Sequence, residues 1–339
     1  NKIIKIASRH QVLPFIYYTV NKLNLLNNTP KEILEILKNY YYVNSNRNLK
    51  LWEELSLILE SLNQTKIKVI LLKGIILMET VYHNLALRII GDIDILIKED
   101  DLLIIRNSLL KLGYKDNFKK TPLIHYKRYH KSLIFFKQIS EEVLFYLELH
   151  REIAPPRPYK LNLPFIWERA QGKTINGQNA YSFSTEDMLI SLAIHLRRHI
   201  RKPYLKFICD IAELLNQYTQ NMDSVYIKKE ATRNHIKNTI YFALYISSEL
   251  FDISIPDKLL NEFRPKIIKY KLINFFMNKH NFFKQKIWQG TLLRLLLFDS
   301  TIDFLFYLWR VSFLERSIGN LTKKTIRITN NTAAEIIKK

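Results

Sequence analysis

Two aspartates separated by one residue are the most chemically informative pair in the chain. Asp92 and Asp94 stand in the segment GDIDILIK, among isoleucine and leucine side chains. Successive side chains of a β-strand point to opposite faces, so a strand here would place both carboxylates on one face. Neighbouring carboxylates repel each other unless a cation compensates them, and a hard divalent metal is the usual one. The pair therefore predicts a metal site suited to phosphoryl or nucleotidyl transfer.

Groups suited to phosphate oxygens flank this pair. Gly74 ends the apolar run of KVILLKG and precedes a helical pattern, so backbone N–H groups and a helix dipole would face an anion there. Lys73 and Arg88 are cations on either side, and Gly91 directly precedes the aspartates. We assign these four residues to nucleotide binding; for Arg88, a salt bridge to Asp92 is the alternative.

A third acid is expected from a neighbouring strand. Glu148 lies in the apolar segment LFYLELHRE, where an unpaired carboxylate would cost free energy. His150, two residues later, would face the same way and is assigned as a substrate contact. Glu152 is the alternative third acid. Alternatively, Glu148 forms an ordinary ion pair with a lysine and has no role in the site.

The elements that must position these residues follow from the hydrophobic period. Residues 1–65 show helical spacing, with Pro30 in a first turn and Thr29 as its cap. In residues 66–155 the spacing of apolar residues alternates between strand-like and helical. It predicts the order β-α-β-α-β-β, with Gly113 just past the end of the second helix. This order indicates a small α/β core.

The rest of the chain is mainly helical. Residues 156–320 begin with a proline-rich stretch, after which Asn176-Gly177 predicts a hairpin turn. Ser184 or Thr185 starts a helix, and residues 321–339 form a polar tail. The expected fold class is α+β: a small mixed-sheet core, flanked by N-terminal helices and a larger C-terminal helical domain.

Composition limits the environment and the partners. The 339 residues include 52 Lys and Arg against 31 Asp and Glu, a net charge of +21 that favours polyanionic partners or only keeps the protein solvated. Cys209 is the single cysteine, in an apolar helical context, which excludes a disulfide framework and fits a reducing cytoplasm. Residues 291–314 are apolar but carry four charges, which predicts a core helix and no stable membrane insertion.

These motifs together resemble the polymerase-beta-like nucleotidyltransferase superfamily, and within it the branch of uncharacterised bacterial nucleotidyltransferases. The resemblance covers most of the chain, weakly at both ends, and rests on these segments: Leu71–Gly74, Tyr82, Arg88–Ile97, Leu109–Tyr114, Glu148–His150, and residues 185–199 and 205–215. One position departs from the superfamily pattern, because Ile75 follows the turn glycine where serine or glycine is usual.

The resemblance implies transfer of a nucleoside monophosphate from a nucleoside triphosphate, dependent on Mg²⁺ or Mn²⁺. It implies Asp92, Asp94 and Glu148 as the catalytic metal ligands. In the family the helix at 185–199 lies near the site, which adds substrate contacts from His195, Arg198 and Asp210.

Four questions remain open from the sequence. His195 and His199, at i and i+4, have a metal-compatible spacing, but neighbouring arginines favour a packed or phosphate-facing pair. The clusters HYKRYHK (125–131) and HLRRHIRK (195–202) would suit a nucleic acid or be solvated faces. The acceptor is also open. It would be RNA, such as a tRNA 3′ end, in which case the protein would be a toxin with an antitoxin-like partner. A protein, a peptide or a small molecule is the other possibility. A non-catalytic binding protein on the same scaffold is the competing function.

Overall fold

The N-terminal region is helical, as the sequence predicts. The computed structural model describes residues 2–116, 132–139, 144–154, 159, 161–201, 203–277, 282–284 and 286–308. The first three helices are α1 (Lys2–His10), α2 (Leu13–Lys22) and α3 (Lys31–Gln64). Thr29 as a helix cap was a wrong prediction, because its hydroxyl donates back to the carbonyl of Leu25 and Pro30 precedes α3 without a side-chain cap.

The described residues contain a seven-stranded mixed sheet. Its strands are β1 (Ile70–Leu72), β2 (Ile93–Leu96), β3 (Lys115–Asp116), β4 (Ser132–Gln138), β5 (Leu144–His150), β6 (Gln171–Ile175) and β7 (Gln178–Ser182). They lie in the order β3-β4-β5-β2-β1-β7-β6. β2 is therefore central, antiparallel to β1 and parallel to β5.

Helices between the strands follow the predicted order. They are α4 (Lys73–Leu77), which continues as a π-helical turn over Met78–Tyr82, and α5 (Leu102–Lys111). Gly113 follows α5 with a φ of 86°, a left-handed conformation that glycine adopts without strain. This confirms the predicted helix end.

The hairpin of β6 and β7 joins the same sheet as the strands before it. Asn176 and Gly177, with φ values of 46° and 77°, form its two-residue turn as the Asn-Gly pair predicts. On its other edge β7 runs parallel to β1, with Ile70 opposite Tyr181. The sheet thus extends across the domain boundary expected near residue 155.

The C-terminal part consists mostly of helices that pack on this sheet and on one another. They are α6 (Leu163–Arg169), α7 (Thr185–His199), α8 (Leu205–Tyr218), α9 (Ser224–Arg233), α10 (Lys237–Phe251), α11 (Asp257–Glu262), α12 (Ile267–Met277) and α13 (Ile287–Leu296). Ser184 caps α7 by accepting from the backbone N–H of Asp187, as predicted. One buried apolar cluster runs from Leu51 to Leu297, so the sheet and these helices share a core.

A single core helix over residues 291–314 was a wrong prediction. α13 ends at Leu296, and helix resumes at 301–308 after a break. Asp299 lies in the break, where its carboxylate accepts from the backbone N–H of Asn238 at 2.9 Å and so caps α10. The predictions for residues 125–131 and 321–339 lie outside the described residues. No helix that the structure describes has the length and hydropathy needed to cross a membrane.

Candidate functional site

The parallel pairing of β2 with β5 brings the predicted acids together. Asp94 lies directly opposite Glu148, and Leu96 lies opposite His150. His150 Nε2 is 2.6 Å from Asp94 Oδ1 and 3.5 Å from Glu148 Oε2. Ser132 on β4 donates a short hydrogen bond to Glu148 Oε1. Two carboxylates and an imidazole therefore share one face at the centre of the sheet, as the alternation of the two strands predicts.

Lys73 adds a cation to this group. Its Nζ lies 2.9 Å from Asp94 Oδ1, and its side chain is 18% exposed. Its backbone has a φ of 49°, a left-handed conformation that costs free energy in a residue other than glycine. Lys73, the first residue of α4, thus has a strained backbone conformation, and its ammonium contacts Asp94.

The two aspartates have opposite electrostatic environments. Burial would raise the pKa of Asp94, but the hydrogen bond from His150 and the charge of Lys73 lower it to about 2. Burial and the nearby charge of Asp94 raise the pKa of Asp92 to about 6. Asp94 is therefore compensated within the protein, whereas Asp92 still lacks a sufficient counter-charge.

The side chains fit a divalent cation. Asp94, Glu148 and His150 each offer one donor atom, and these atoms lie within 4.8 Å of one another. Carboxylate oxygens suit Mg²⁺ and Mn²⁺, and the imidazole adds a donor that suits Mn²⁺ better than Mg²⁺. Asp92 lies outside this compact group, although its charge interacts with Asp94 and Glu148. Its role as a ligand stays a prediction, and His150 joins the candidate ligands.

Arg88 forms a buried ion pair rather than the salt bridge to Asp92 that the sequence left open. Its Nε and Nη2 each lie 2.8 Å from one oxygen of Asp210, and Tyr82 donates its hydroxyl to the same carboxylate at 2.7 Å. A Cβ on Gly74 would lie 2.6 Å from Arg88 Nη1, so glycine leaves room for the guanidinium. Gly74 therefore serves this ion pair, which packs α8 against the turn after β1.

Three polar side chains of α3 hold the loop that leads to Asp92, and no pattern in the sequence singles them out. Asn44 donates to the carbonyls of Ala86 and Arg88, and Asn48 donates to those of Leu85 and Arg88, at 2.6–3.2 Å. Arg47 donates a short hydrogen bond to Ile90 and a longer one, 3.4 Å, to Gly91. We call these three residues the α3 clamp. Gly91 itself is exposed at the end of this loop.

The α3 clamp predicts a strong effect for Asn48→Asp. Asn48 is fully buried and its amide donates two hydrogen bonds, whereas a carboxylate would face the same carbonyls with no donor. We expect the free energy of unfolding to fall by about 1–3 kcal/mol or more, measured by urea denaturation. The control is Asn46→Asp on the exposed face of α3, which should change stability little. Equal effects of the two substitutions would contradict the role of the clamp.

α7 contributes aromatic and basic groups near the acids. His195 and His199 lie with ring centroids 4.5 Å apart, and both contact Phe207 of α8, at 4.6 and 5.0 Å. Burial and then the charge of Lys73 lower the pKa of His195. Arg198 points to solvent instead. Among the described residues the histidine pair is not part of a metal-binding cluster.

Lys206 is a further functional candidate that our reading of the sequence missed. Its Nζ donates to the carbonyl of Ile89, at 3.3 Å, in the loop that precedes Asp92. The signal was present, because Lys206 and Asp210 are at i and i+4 and therefore share one face of α8. The spacing of one helical turn from Asp210, already a candidate, is therefore the sequence feature that points to Lys206.

Comparisons with known proteins identify the family of the chain. A family model described as an uncharacterised nucleotidyltransferase matches residues 1–252, most of the described chain. A search of curated proteins finds no match. Among solved structures, an antigenic nucleotidyltransferase-like protein from Paracoccidioides brasiliensis is similar with a TM-score of 0.37 and 16% sequence identity, over 64% of this chain and 93% of that chain. By the extent of the family match, the chain belongs to the family of uncharacterised nucleotidyltransferases.

Proposed function

We propose that the protein transfers a nucleoside monophosphate from a nucleoside triphosphate to an acceptor hydroxyl and releases pyrophosphate. The observation that carries this proposal is the group formed by Asp94, Glu148 and His150 across β2 and β5, with Lys73 on Asp94. Acids that share one face and lie close to basic groups suit a reaction in which a highly charged phosphate must be bound and turned over.

Each residue of the site has its own role in this proposal. Asp92, Asp94 and Glu148, with His150 beside them, would hold Mg²⁺ or Mn²⁺. When bound, such an ion neutralises negative charge on the triphosphate. Lys73, Gly74, Arg88 and Gly91 remain the proposed nucleotide-binding set, and Arg88 acts through its ion pair with Asp210.

In the proposed reaction, one bond to phosphorus forms, one breaks, and one proton is transferred. The acceptor oxygen forms a bond to the α-phosphorus, and the bond from that phosphorus to the bridging oxygen breaks. Pyrophosphate leaves with the bonding electron pair. Glu148 is 26% exposed on its side chain, so it is accessible to take the hydroxyl proton as a general base. Asp94 is largely buried and positions Lys73 and His150.

RNA is the acceptor that we propose. Its support is the net charge of +21, together with basic residues such as Arg198 exposed on α7. A tRNA 3′ end is one such acceptor, in which case the protein would act as a toxin that disables tRNA and would have an antitoxin-like partner. If RNA is bound through several phosphate contacts, its affinity should fall by roughly 10³-fold or more between 50 and 200 mM salt. Salt-independent RNA binding would exclude this acceptor.

The decisive experiment is a transfer assay with each α-labelled nucleoside triphosphate, Mg²⁺, purified protein and total cell extract. The Asp94→Asn variant runs beside the natural chain. A labelled product that requires Asp94 supports nucleotidyl transfer, and its sensitivity to ribonuclease or protease identifies the acceptor class. Label from the γ-phosphate instead would indicate a kinase-like transfer.

A non-catalytic binding protein on the same scaffold is the second candidate. Two observations favour it: Lys73 and His150 already compensate Asp94 within the protein, and Ile75 is fully buried where the superfamily has serine or glycine. A nucleoside triphosphate with Mg²⁺ should raise the melting temperature of an enzyme of the proposed kind. No shift with any nucleotide, together with no labelled product, would support the binding protein.

A further inference from the structure

The two cations that the sequence assigns to phosphate binding are both engaged with carboxylates. Lys73 pairs with Asp94 at 2.9 Å. Arg88 makes a bidentate, buried pair with Asp210. Each cation thus already has its charge balanced by a carboxylate of the protein. The departing pyrophosphate therefore needs a cation that is not committed in this way.

Lys206 meets this requirement. Its ammonium donates one long hydrogen bond, 3.3 Å, to the carbonyl of Ile89, and within the described residues no carboxylate lies at ion-pair distance. An ammonium has three donors, so two of them remain for a ligand. Burial and the charge of Arg88 lower the pKa of Lys206 to about 8, so the group is charged at neutral pH but incompletely compensated.

Lys206 contacts the loop that leads to Asp92 and interacts electrostatically with the acids of the site. Its positive charge stabilises the ionised form of Asp92, and the negative charges of Asp210 and Asp92 act on Lys206 in turn. Asp210 is neutralised by Arg88, and Asp92 is a candidate ligand of the divalent cation. Neither acid is therefore left to compete with an anion for Lys206 once the cation is bound.

Aromatic rings pack beside Lys206. Phe207 follows it in α8 and packs against the rings of His195 and His199. Burial and then the charge of Arg198 lower the pKa of His199 to about 4, so this imidazole is neutral at physiological pH. His195 Nδ1 is buried and has no hydrogen-bond partner among the described residues. An anion at Lys206 would thus meet no repulsive charge from α7.

We propose that Lys206 binds the β- and γ-phosphates of the nucleoside triphosphate and holds them as pyrophosphate leaves. The inference rests on the proposed function, because pyrophosphate is the leaving group only in nucleotidyl transfer. Lys206 acts as a charge and a hydrogen-bond donor and transfers no proton. The electron pair of the broken bond stays on the pyrophosphate oxygen, close to the ammonium.

The test compares Lys206→Met with Lys229→Met. Methionine keeps most of the length of the lysine stem without its charge, and Lys229 is an exposed residue of α9, so both variants lose one positive charge. Isothermal titration calorimetry measures binding of pyrophosphate and of nucleoside monophosphates, each with Mg²⁺. We expect Lys206→Met to weaken pyrophosphate binding by about 10- to 100-fold and monophosphate binding by about twofold or less. Lys229→Met should bind both ligands like the natural chain.

Other outcomes decide against the proposal. Unchanged pyrophosphate affinity in Lys206→Met would overturn it and leave nucleotidyl transfer intact. Equal losses for pyrophosphate and monophosphates would indicate a general effect on the site and would also overturn it. Lys206→Arg guards against misfolding, because it keeps the charge and should recover most of the pyrophosphate affinity. A natural chain that binds neither pyrophosphate nor any nucleoside triphosphate would overturn the proposed function as well.

Discussion

Asp94→Asn is expected to lower the rate of nucleotidyl transfer by on the order of 10²- to 10⁴-fold. Asp94 is 5% exposed and contacts both Lys73 and His150. Asparagine keeps the shape but removes the charge, so the two basic groups lose their common acceptor and a cation loses a ligand. The measurement is the rate of transfer from α-labelled nucleotide, with Asp100→Asn, an exposed acid outside the site, as the matched control.

The same substitution should destabilise the fold, and a second variant separates the two effects. Asp94→Asn leaves Lys73 mostly buried without its partner, and an unpaired buried charge costs free energy. Lys73→Met combined with Asp94→Asn removes that charge as well, so the double variant should recover stability but not activity. Recovery of activity in the double variant would show that Asp94 only neutralises Lys73.

Arg88→Met is expected to lower the free energy of unfolding by about 3–5 kcal/mol, because it leaves the carboxylate of Asp210 buried without its partner. Asp210 is 1% exposed and accepts two hydrogen bonds from Arg88 and one from Tyr82. Urea denaturation measures the change. Arg198→Met, on the exposed face of α7, should stay within about 0.5 kcal/mol of the natural chain.

A double variant shows whether the ion pair itself is responsible. Arg88→Met with Asp210→Leu removes both charges, and should restore much of the lost stability because neither charge is then left uncompensated. If Arg88→Met keeps its stability and loses only affinity for nucleoside triphosphate, Arg88 binds phosphate directly, as the resemblance implies. That result would displace the structural role argued from the 2.8 Å contacts.

The sequence was sufficient to place Asp94, Glu148 and His150 on one face because the relevant signal is local, whereas Asp92 precedes β2 and lies outside that group. Alternation along GDIDILIK and LFYLELH fixes which side chains share a face, and the structure pairs these two strands in parallel with Asp94 opposite Glu148. The Asn-Gly turn and the cap at Ser184 were also predicted correctly, since each depends on a few neighbouring residues.

The remainder depends on contacts between distant residues, which no local pattern encodes. Arg88 and Asp210 are 122 residues apart, and Asn48 lies 40 residues before Arg88. The Asn-Gly pair predicted a hairpin in residues 174–184 but could not show that it would join β1. Likewise, the pattern of residues 291–314 suited a continuous helix. The helix is broken at Asp299, whose carboxylate caps the distant helix α10.

The place of β1 in the sheet has a consequence for how the chain acquires its shape during synthesis. β1 is flanked by β2 and β7, and its pairing with β7 joins Ile70 to Tyr181. A nascent chain emerges at about 5–20 residues per second, so one edge of β1 remains unpaired for several seconds or more after it leaves the ribosome. The ion pair between Arg88 and Asp210 forms later still. Translation therefore delivers Asp94 of β2 long before the residues that enclose it. The exposed edge of β1 is the point at which a stalled chain would pair with another molecule.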